Sequence, residues 1–259
     1  MKNKTFLPIL LITLFLLPSY AAQSGSVLQK DDQALQRKYV KAVRDAEVCE
    51  PGEISKNLTA ITPVNKDLIW KEGQQEKCVL VVTWTDWNGY DSKVGQTVDA
   101  QKDIWVTAAP ELQKFIKRHR YTGQDMELRI RQLLGLSLES NKTKFVEIWV
   151  SPKYLFRPSP DPEITDCEAE LDFPSNRFVT ICDDYKNWFN TQKSASYRIE
   201  GNPWQGFPWT RLGYTYDWGN PTSEVGLSEF VISVGAKIEI CSVRKNEEYF
   251  RYARQHTVE

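Results

Sequence analysis

The apolar run at residues 78–85, CVLVVTWT, most constrains how this chain can fold. Its apolar side chains occupy both alternating faces, so a strand formed here has to be covered on both sides. Residues 144–150, KFVEIWV, have the same character, and residues 103–108, DIWVTA, predict a further strand. The sequence therefore predicts a sheet whose central strands are buried on both faces.

Apolar residues recur at helical spacing in several other segments. Pro51-Gly52 ends the first of these helices, and Gly135 suits the position that follows another. Helices are predicted over residues 32–47, 110–119 and 122–134, after Asp183-Asp184 and after the N-cap residue Asn246. The predicted fold class is α+β: a single compact domain over 31–259, with a mainly antiparallel sheet packed by about four to five helices.

Two further predictions concern strands in the C-terminal half. Residues 229–234 and 237–243 flank Gly235-Ala236 and predict a β-hairpin. In its second arm, apolar and charged residues alternate, which is typical of a strand with one solvated face. Residues 177–182 predict a short strand.

The N-terminus has the parts of a secretory signal peptide. Lys2 and Lys4 form a basic region, residues 6–17 are an apolar run of twelve, and Ser19-Tyr20-Ala21 offers small residues for cleavage. The run is shorter than the roughly 20 residues that a membrane-spanning helix needs. We therefore expect removal of residues 1–21, a disordered segment 22–30, and a mature chain without a membrane span. The protein would then be periplasmic or secreted.

All five cysteines lie in the part that would be exported, where an oxidising compartment permits disulfides. We expect Cys167 to pair with Cys182 across a turn, and a loop of that length stabilises by about 3 kcal/mol. Cys49 with Cys78 is the other bridge that we consider. No C-x-x-C spacing indicates a zinc or redox site.

The motifs of several enzyme classes are missing from the sequence. His119 and His256 are the two histidines, and no G-x-S-x-G, H-E-x-x-H, phosphate-loop or dinucleotide motif accompanies them. The acidic segment 161–172 offers oxygen ligands but not the spacing of an EF-hand. With a formal net charge of −1, the chain gives no basis for nucleic-acid binding. We predict no metal, no cofactor and no nucleic-acid partner, and we favour a non-enzyme.

The segment 201–220, GNPWQGFPWTRLGYTYDWGN, is the candidate site. Its prolines and glycines predict an ordered loop, and its aromatic rings suit either a binding surface or a structural clamp on the sheet. Nearby carboxylates add a glycosidase hypothesis, because such enzymes use two carboxyl groups about 5 to 10 Å apart. The candidate ligand-binding residues are Trp204, Trp209, Arg211, Tyr214, Tyr216 and Trp218, and the candidate catalytic residues are Asp217, Glu224 and Glu229.

Three functions are compatible with these features. The preferred one is an exported binding or interaction protein, a periplasmic factor or a secreted effector, whose aromatic loop contacts an unknown protein or glycan. The second is a hydrolase that uses paired carboxylates on a polysaccharide or an ester. The third is a structural subunit of an envelope assembly.

Overall fold

The computed structural model describes residues 21–73, 76–175, 179–199, 201 and 205–256. The chain divides into two units, Met1–Leu35 and Gln36–Glu259. Helix α1 (Ala21–Ala46) supplies the described part of the first unit, so it includes the segment predicted to be disordered. All but the last residue of the predicted signal peptide lie outside the described residues. Within the described part of the chain, no helix has the length and apolar character needed to cross a membrane.

The second unit is built on a sheet of eight antiparallel strands. The strands are β1 (Trp70–Glu72), β2 (Lys77–Thr85), β3 (Thr97–Asp99), β4 (Ile104–Ala108), β5 (Lys144–Val150), β6 (Leu155–Phe156), β7 (Tyr214–Tyr216), β8 (Val225–Ser228), β9 (Phe230–Ile232) and β10 (Lys237–Lys245). The strand order of the sheet is β3-β10-β5-β2-β4-β9-β6, and β1 pairs with β2 beside this path; β7 and β8 form a separate pair. The three apolar runs form strands, as predicted, and the structure places these strands, β5, β2 and β4, side by side.

Four further helices accompany the sheet: α2 (Ala109–Arg118), α3 (Gly123–Leu133), α4 (Asp183–Ser196) and α5 (Asn246–Gln255). Gly135 follows α3 with a φ of 66°, the left-handed conformation expected after a helix end. Of the predicted strand 177–182, residues 179–182 form no strand and 177–178 lie outside the described residues. The five helices of the described residues and the mainly antiparallel sheet, in one compact domain, confirm the predicted α+β class.

Both faces of the central strands are covered, as the apolar runs predict. One face of β2, β4, β5, β9 and β10 forms a core that includes Val79, Val81, Val106, Val146, Ile148, Phe230, Ile232, Ile238 and Ile240. The opposite face packs Leu80, Val82 and Phe145 against α2, α3 and α5. Each fully buried aliphatic side chain of this kind contributes about 1.5 to 3 kcal/mol. The second face is the one on which the candidate site lies.

The predicted hairpin around Gly235 is wrong. β9 pairs with β4 and β6, whereas β10 pairs with β3 and β5. In a flat sheet these two strands would be roughly 19 Å apart, and the connection between them, even fully extended, spans at most about 18 Å. The sheet therefore curves until its two sides approach, and Gly235 N donates to Ala100 O at 2.8 Å across this junction.

Neither predicted disulfide is present in the structure. All five cysteines lie among the described residues and carry free thiols. Cys49 Sγ donates to Thr210 O at 2.8 Å, and burial raises the pKa of its thiol. Cys78 lies on β2, while Cys167 and Cys182 are exposed. A disulfide needs close Cα atoms and converging Cβ directions, which spacing along the chain does not supply.

Asn246 connects α5 to the sheet and to α3, and it is not the N-cap that the sequence predicts. The helix begins at Asn246, so the cap position falls on Lys245. The buried Asn246 amide accepts a bond from Trp84 Nε1 at 2.9 Å and donates to Glu127 Oε1 at 2.8 Å. It also donates to Lys142 O at 3.0 Å. Its polar atoms are therefore paired, as buried polar groups generally are.

We predict that Asn246→Ala lowers the free energy of unfolding by about 2 to 3 kcal/mol, because it leaves the buried Trp84 indole N–H without its acceptor. Urea denaturation measures this loss. Asn190→Ala, on the exposed side of α4, is the matched control and should stay within about 0.5 kcal/mol of the wild type. Equal effects of the two substitutions would contradict the role given to Asn246.

Candidate functional site

Most described rings of the aromatic loop 201–220 are buried against the fold. Trp209 and Trp218 are each 6 % exposed, and Tyr214 is 1 % exposed. Phe207 differs, with half of its surface exposed. Trp204, also predicted to bind a ligand, lies outside the described residues. The buried rings hold the loop in one position relative to the sheet.

The C-terminal part of α3 fixes the second half of the loop. Arg129 Nη1 donates to Asp217 Oδ1 at 2.8 Å, and its other terminal nitrogen donates to Asp217 Oδ2. Asp217 is only 3 % exposed, so its charge is balanced inside the protein by this two-bond pair. Beside it, Trp218 Nε1 donates to Leu136 O at 3.1 Å. These contacts give Asp217 an anchoring role.

Arg211 anchors the loop to the end of α1. Its Nη2 donates to Glu47 O at 2.9 Å and to Ala46 O at 3.3 Å, where the positive charge favours the helix C-terminus. Its φ of 60° is unusual for a residue other than glycine. Nearby, the Tyr216 hydroxyl donates to Asp45 Oδ2 at 2.6 Å. Arg211 is buried, and its guanidinium group is directed at carbonyl groups of this chain.

A pocket of about 390 Å³ lies between this loop and the sheet. Its volume falls in the range of small-molecule sites. β2 and β4 contribute Val82, Trp84, Trp105 and Thr107; the loop contributes Phe207, Pro208, Trp209, Tyr214 and Tyr216; the turn after α3 contributes Leu134, Gly135 and Leu136; and α4 contributes Gln192 and Ser196. Three of the predicted ligand-binding residues thus line the pocket, whereas Arg211 and Trp218 do not.

Glu229 is the acidic residue among the predicted catalytic set that reaches this pocket. Phe230 and Ile232 of β9 lie in the core on the other face, so Glu229 belongs by alternation to the pocket face. Burial raises the pKa of its carboxyl group from an ordinary 4.5 to about 8. At neutral pH the group is therefore mostly protonated and offers both a donor and an acceptor.

The three candidate catalytic residues do not share one environment. Asp217 is paired with Arg129, and Glu224 Oε1 accepts a bond from the Tyr214 hydroxyl at 3.4 Å. Neither lines the pocket beside Glu229. The second acid on the pocket wall is Asp103, which the sequence did not single out.

Asp103 and its neighbours make one wall rigid. Trp188 Nε1 donates to Asp103 Oδ2 at 2.8 Å. The Trp188 ring lies 6.2 Å from that of Trp105, which meets Trp209 edge-on at 6.0 Å. Edge-to-face contacts of this kind contribute about 0.5 to 1.5 kcal/mol each. In β4, Trp105 lies between the core residues Ile104 and Val106. Because side chains alternate along a strand, Trp105 lies on the face of the sheet opposite that core, which is the pocket face.

The rim of the pocket is aromatic and basic. Trp87 is 47 % exposed, and its ring meets that of Tyr90 edge-on at 4.6 Å. Lys102 and Lys142 lie beside them, and Lys142 Nζ donates to Asp86 Oδ1 at 3.3 Å. An exposed indole at the entrance of a cavity is available to a ligand without any rearrangement.

Comparison of the chain with protein-family models, with curated proteins and with solved structures finds no match. Within the residues that the structure describes, no group of three or more histidine, cysteine, aspartate or glutamate side chains is arranged to hold a metal ion. In the acidic segment 161–172, Asp166 pairs with the fully buried Arg157, and Glu163 accepts from two backbone amides. The function has to be argued from the pocket itself.

We predict that stability falls as the pH rises from about 5 to 8, because the folded protein retains the Glu229 proton that the unfolded chain releases. Glu111, whose pKa burial raises to about 7, acts in the same direction. Glu229→Gln should reduce the loss by about 1 kcal/mol or more.

Urea denaturation of both proteins at the two pH values measures this difference. Near pH 5 both side chains are uncharged in the folded proteins, and the loss from the Glu229 proton has only begun, so the two proteins should differ least there, which serves as the internal control. An identical decline in the wild type and in Glu229→Gln would contradict the protonated state assigned to Glu229.

Proposed function

We propose that this protein is an exported binding protein that takes a ring of a glycan into the pocket between the aromatic loop and the sheet. One observation carries the proposal: the carboxyl group of Glu229, which has no side-chain partner among the described residues and whose pKa is raised by burial, lies in a cavity walled by Trp84, Trp105 and Trp209. Aromatic faces accept the apolar C–H face of a sugar ring, and the carboxyl group can hydrogen-bond to its hydroxyl groups.

The polar groups in the pocket match a neutral ring better than a charged one. Glu229, Thr107, Gln192 and Ser196 can each donate or accept a hydrogen bond without carrying a full charge at neutral pH. Of the charged residues in the lining, Lys142 is paired with Asp86, and Lys102 and Asp103 have opposite charges. A few polar groups that converge in a mostly apolar cavity are the usual arrangement of a small-molecule site. The size of the cavity favours a small ligand over a folded protein partner.

A hydrolase is the second candidate, and the Glu229 carboxyl group favours it specifically. A carboxyl group that stays protonated near neutral pH is suited to act as a general acid. Asp103 would be its carboxylate partner, although two hydrogen bonds, from Trp188 Nε1 and Val234 N, already hold it. Asp217 has no such role in this proposal, because it is paired with Arg129.

Export is part of the proposal and is supported by the signal-peptide pattern in the sequence. In a periplasmic or secreted protein, a fixed aromatic pocket suits the capture of glycans outside the cytoplasm. A structural subunit of an envelope assembly remains the third hypothesis, and ligand binding in the pocket would distinguish the preferred function from it.

We predict that Trp87→Ala weakens glycan binding about fivefold, since loss of one stacking ring removes about 1 kcal/mol. Isothermal titration calorimetry against a panel of soluble oligosaccharides measures the change. Tyr121→Ala is the matched control, because Tyr121 is 48 % exposed but lines neither described pocket. Equal affinities in the two variants would contradict binding at this pocket.

The same panel separates binding from hydrolysis. If the protein only binds, the oligosaccharides remain intact after long incubation with the wild type. If it hydrolyses them, Glu229→Gln should lower the rate about 100-fold or more while leaving the dissociation constant almost unchanged, because general acid catalysis typically contributes that much. Product formation that Glu229→Gln leaves unaffected would exclude Glu229 as the acid.

A further inference from the structure

A second pocket, of about 420 Å³, adjoins the first. It is formed by the turn at 87–90 and by the segment 98–102, which joins β3 to β4. Trp87, Tyr90 and Lys102 line both pockets. These three residues therefore form a wall that the two neighbouring pockets share.

In this shared wall, the indole ring of Trp87 is held in a fixed position. The Trp87 indole lies directly against the backbone of Gly89, where an added Cβ would come within 2.1 Å of the ring. Tyr90 supports it edge-on from another side. A side chain at position 89 would therefore displace the indole, and the glycine keeps it flat against the turn while almost half of its surface faces solvent.

The second pocket has more positive charge than the first, in which Asp103 offsets Lys102 and Lys142 is paired with Asp86. Lys93 and Lys102 contribute ammonium groups, and among the described residues neither of them forms a salt bridge. Asp99 also lines this pocket, but its carboxylate is already paired with Lys237 Nζ at 3.1 Å. An anionic group of a ligand would thus meet the ammonium groups of both Lys93 and Lys102 here, and Lys93 lines this pocket but not the first.

Building on the proposed function, we propose that the two pockets form one cleft for an acidic oligosaccharide. A neutral ring occupies the first pocket, the chain crosses over Trp87, and the next unit places its carboxylate or sulfate group beside Lys93 and Lys102. The ligand is therefore an extended chain of at least one neutral and one acidic unit, and a single free sugar fills only part of the cleft.

Isothermal titration calorimetry with three disaccharides of matched linkage tests this inference: a neutral one, one that carries a uronic acid, and one that carries a sulfate ester. The wild type should bind an acidic disaccharide about tenfold more tightly than the neutral one, and added salt should reduce that preference. The two acidic disaccharides distinguish a carboxylate from a sulfate.

The double variant Lys93→Gln, Lys102→Gln should abolish the preference. Lys93→Gln alone, at a residue that lines only the second pocket, should reduce the preference and leave the affinity for the neutral disaccharide unchanged. Lys66→Gln, at an exposed lysine outside both pockets, is the control and should bind like the wild type. Equal binding of neutral and acidic disaccharides by the wild type would overturn the acidic-ligand inference but not the proposed function. Failure of all three disaccharides to bind would overturn both.

Discussion

The ion pair between Arg129 and Asp217 is the interaction on which the arrangement of the site depends. It joins α3 to a loop 88 residues further along the chain, and both side chains are largely buried. Removing one partner of such a pair costs about 3 to 5 kcal/mol, because the other charge is left unpaired in the interior. Trp218, next in the chain, packs edge-on against Tyr39 of α1 at 5.7 Å. The loop is thus held to two helices at once, and this attachment sets the distance between the loop and the sheet.

The pocket is a consequence of that distance. The loop crosses the helix-covered face of the sheet at the place where α2 and α3 no longer cover it, and α4 closes the far side. Trp105, Trp188 and Trp209 contact one another, so the aromatic wall is rigid before any ligand arrives. A preformed wall avoids much of the entropy cost of ordering side chains on binding. Glu229 is left facing the cavity with its charge suppressed by burial.

Local sequence patterns predicted much of the fold. The continuous apolar runs identified β2, β4 and β5, and helical spacing together with helix N-terminal signals identified α2 to α5, because these signals arise from residues close together in the chain. Pairing between distant segments was not accessible in this way. The short connection at Gly235 suggested a hairpin, whereas curvature of the whole sheet gives β9 and β10 different partners. Asn246 likewise resembles a helix N-cap when only its sequence neighbours are considered. Its bonds to Trp84 and Glu127 join distant parts of the chain, so no local pattern predicts them.

The candidate site was predicted in part for the same reason. The density of aromatic residues pointed to the loop, and Glu229 was named among its acids. The ion pair that occupies Asp217 depends on Arg129, and no local pattern links them. Alternation in β4 is a local signal that places Trp105 on the face opposite its core neighbours, so the sequence could have indicated this residue. The wall opposite the loop, with Trp87 and Lys102, comes from segments that only the fold brings together.

A crystal structure of the protein grown with a short acidic oligosaccharide tests the central claim most directly. The account predicts a sugar ring between Trp105 and Tyr216, hydrogen-bonded to Glu229, with the next unit passing over Trp87 towards Lys93. A ligand bound elsewhere on the surface, with the pocket between the loop and the sheet left without sugar, would contradict it.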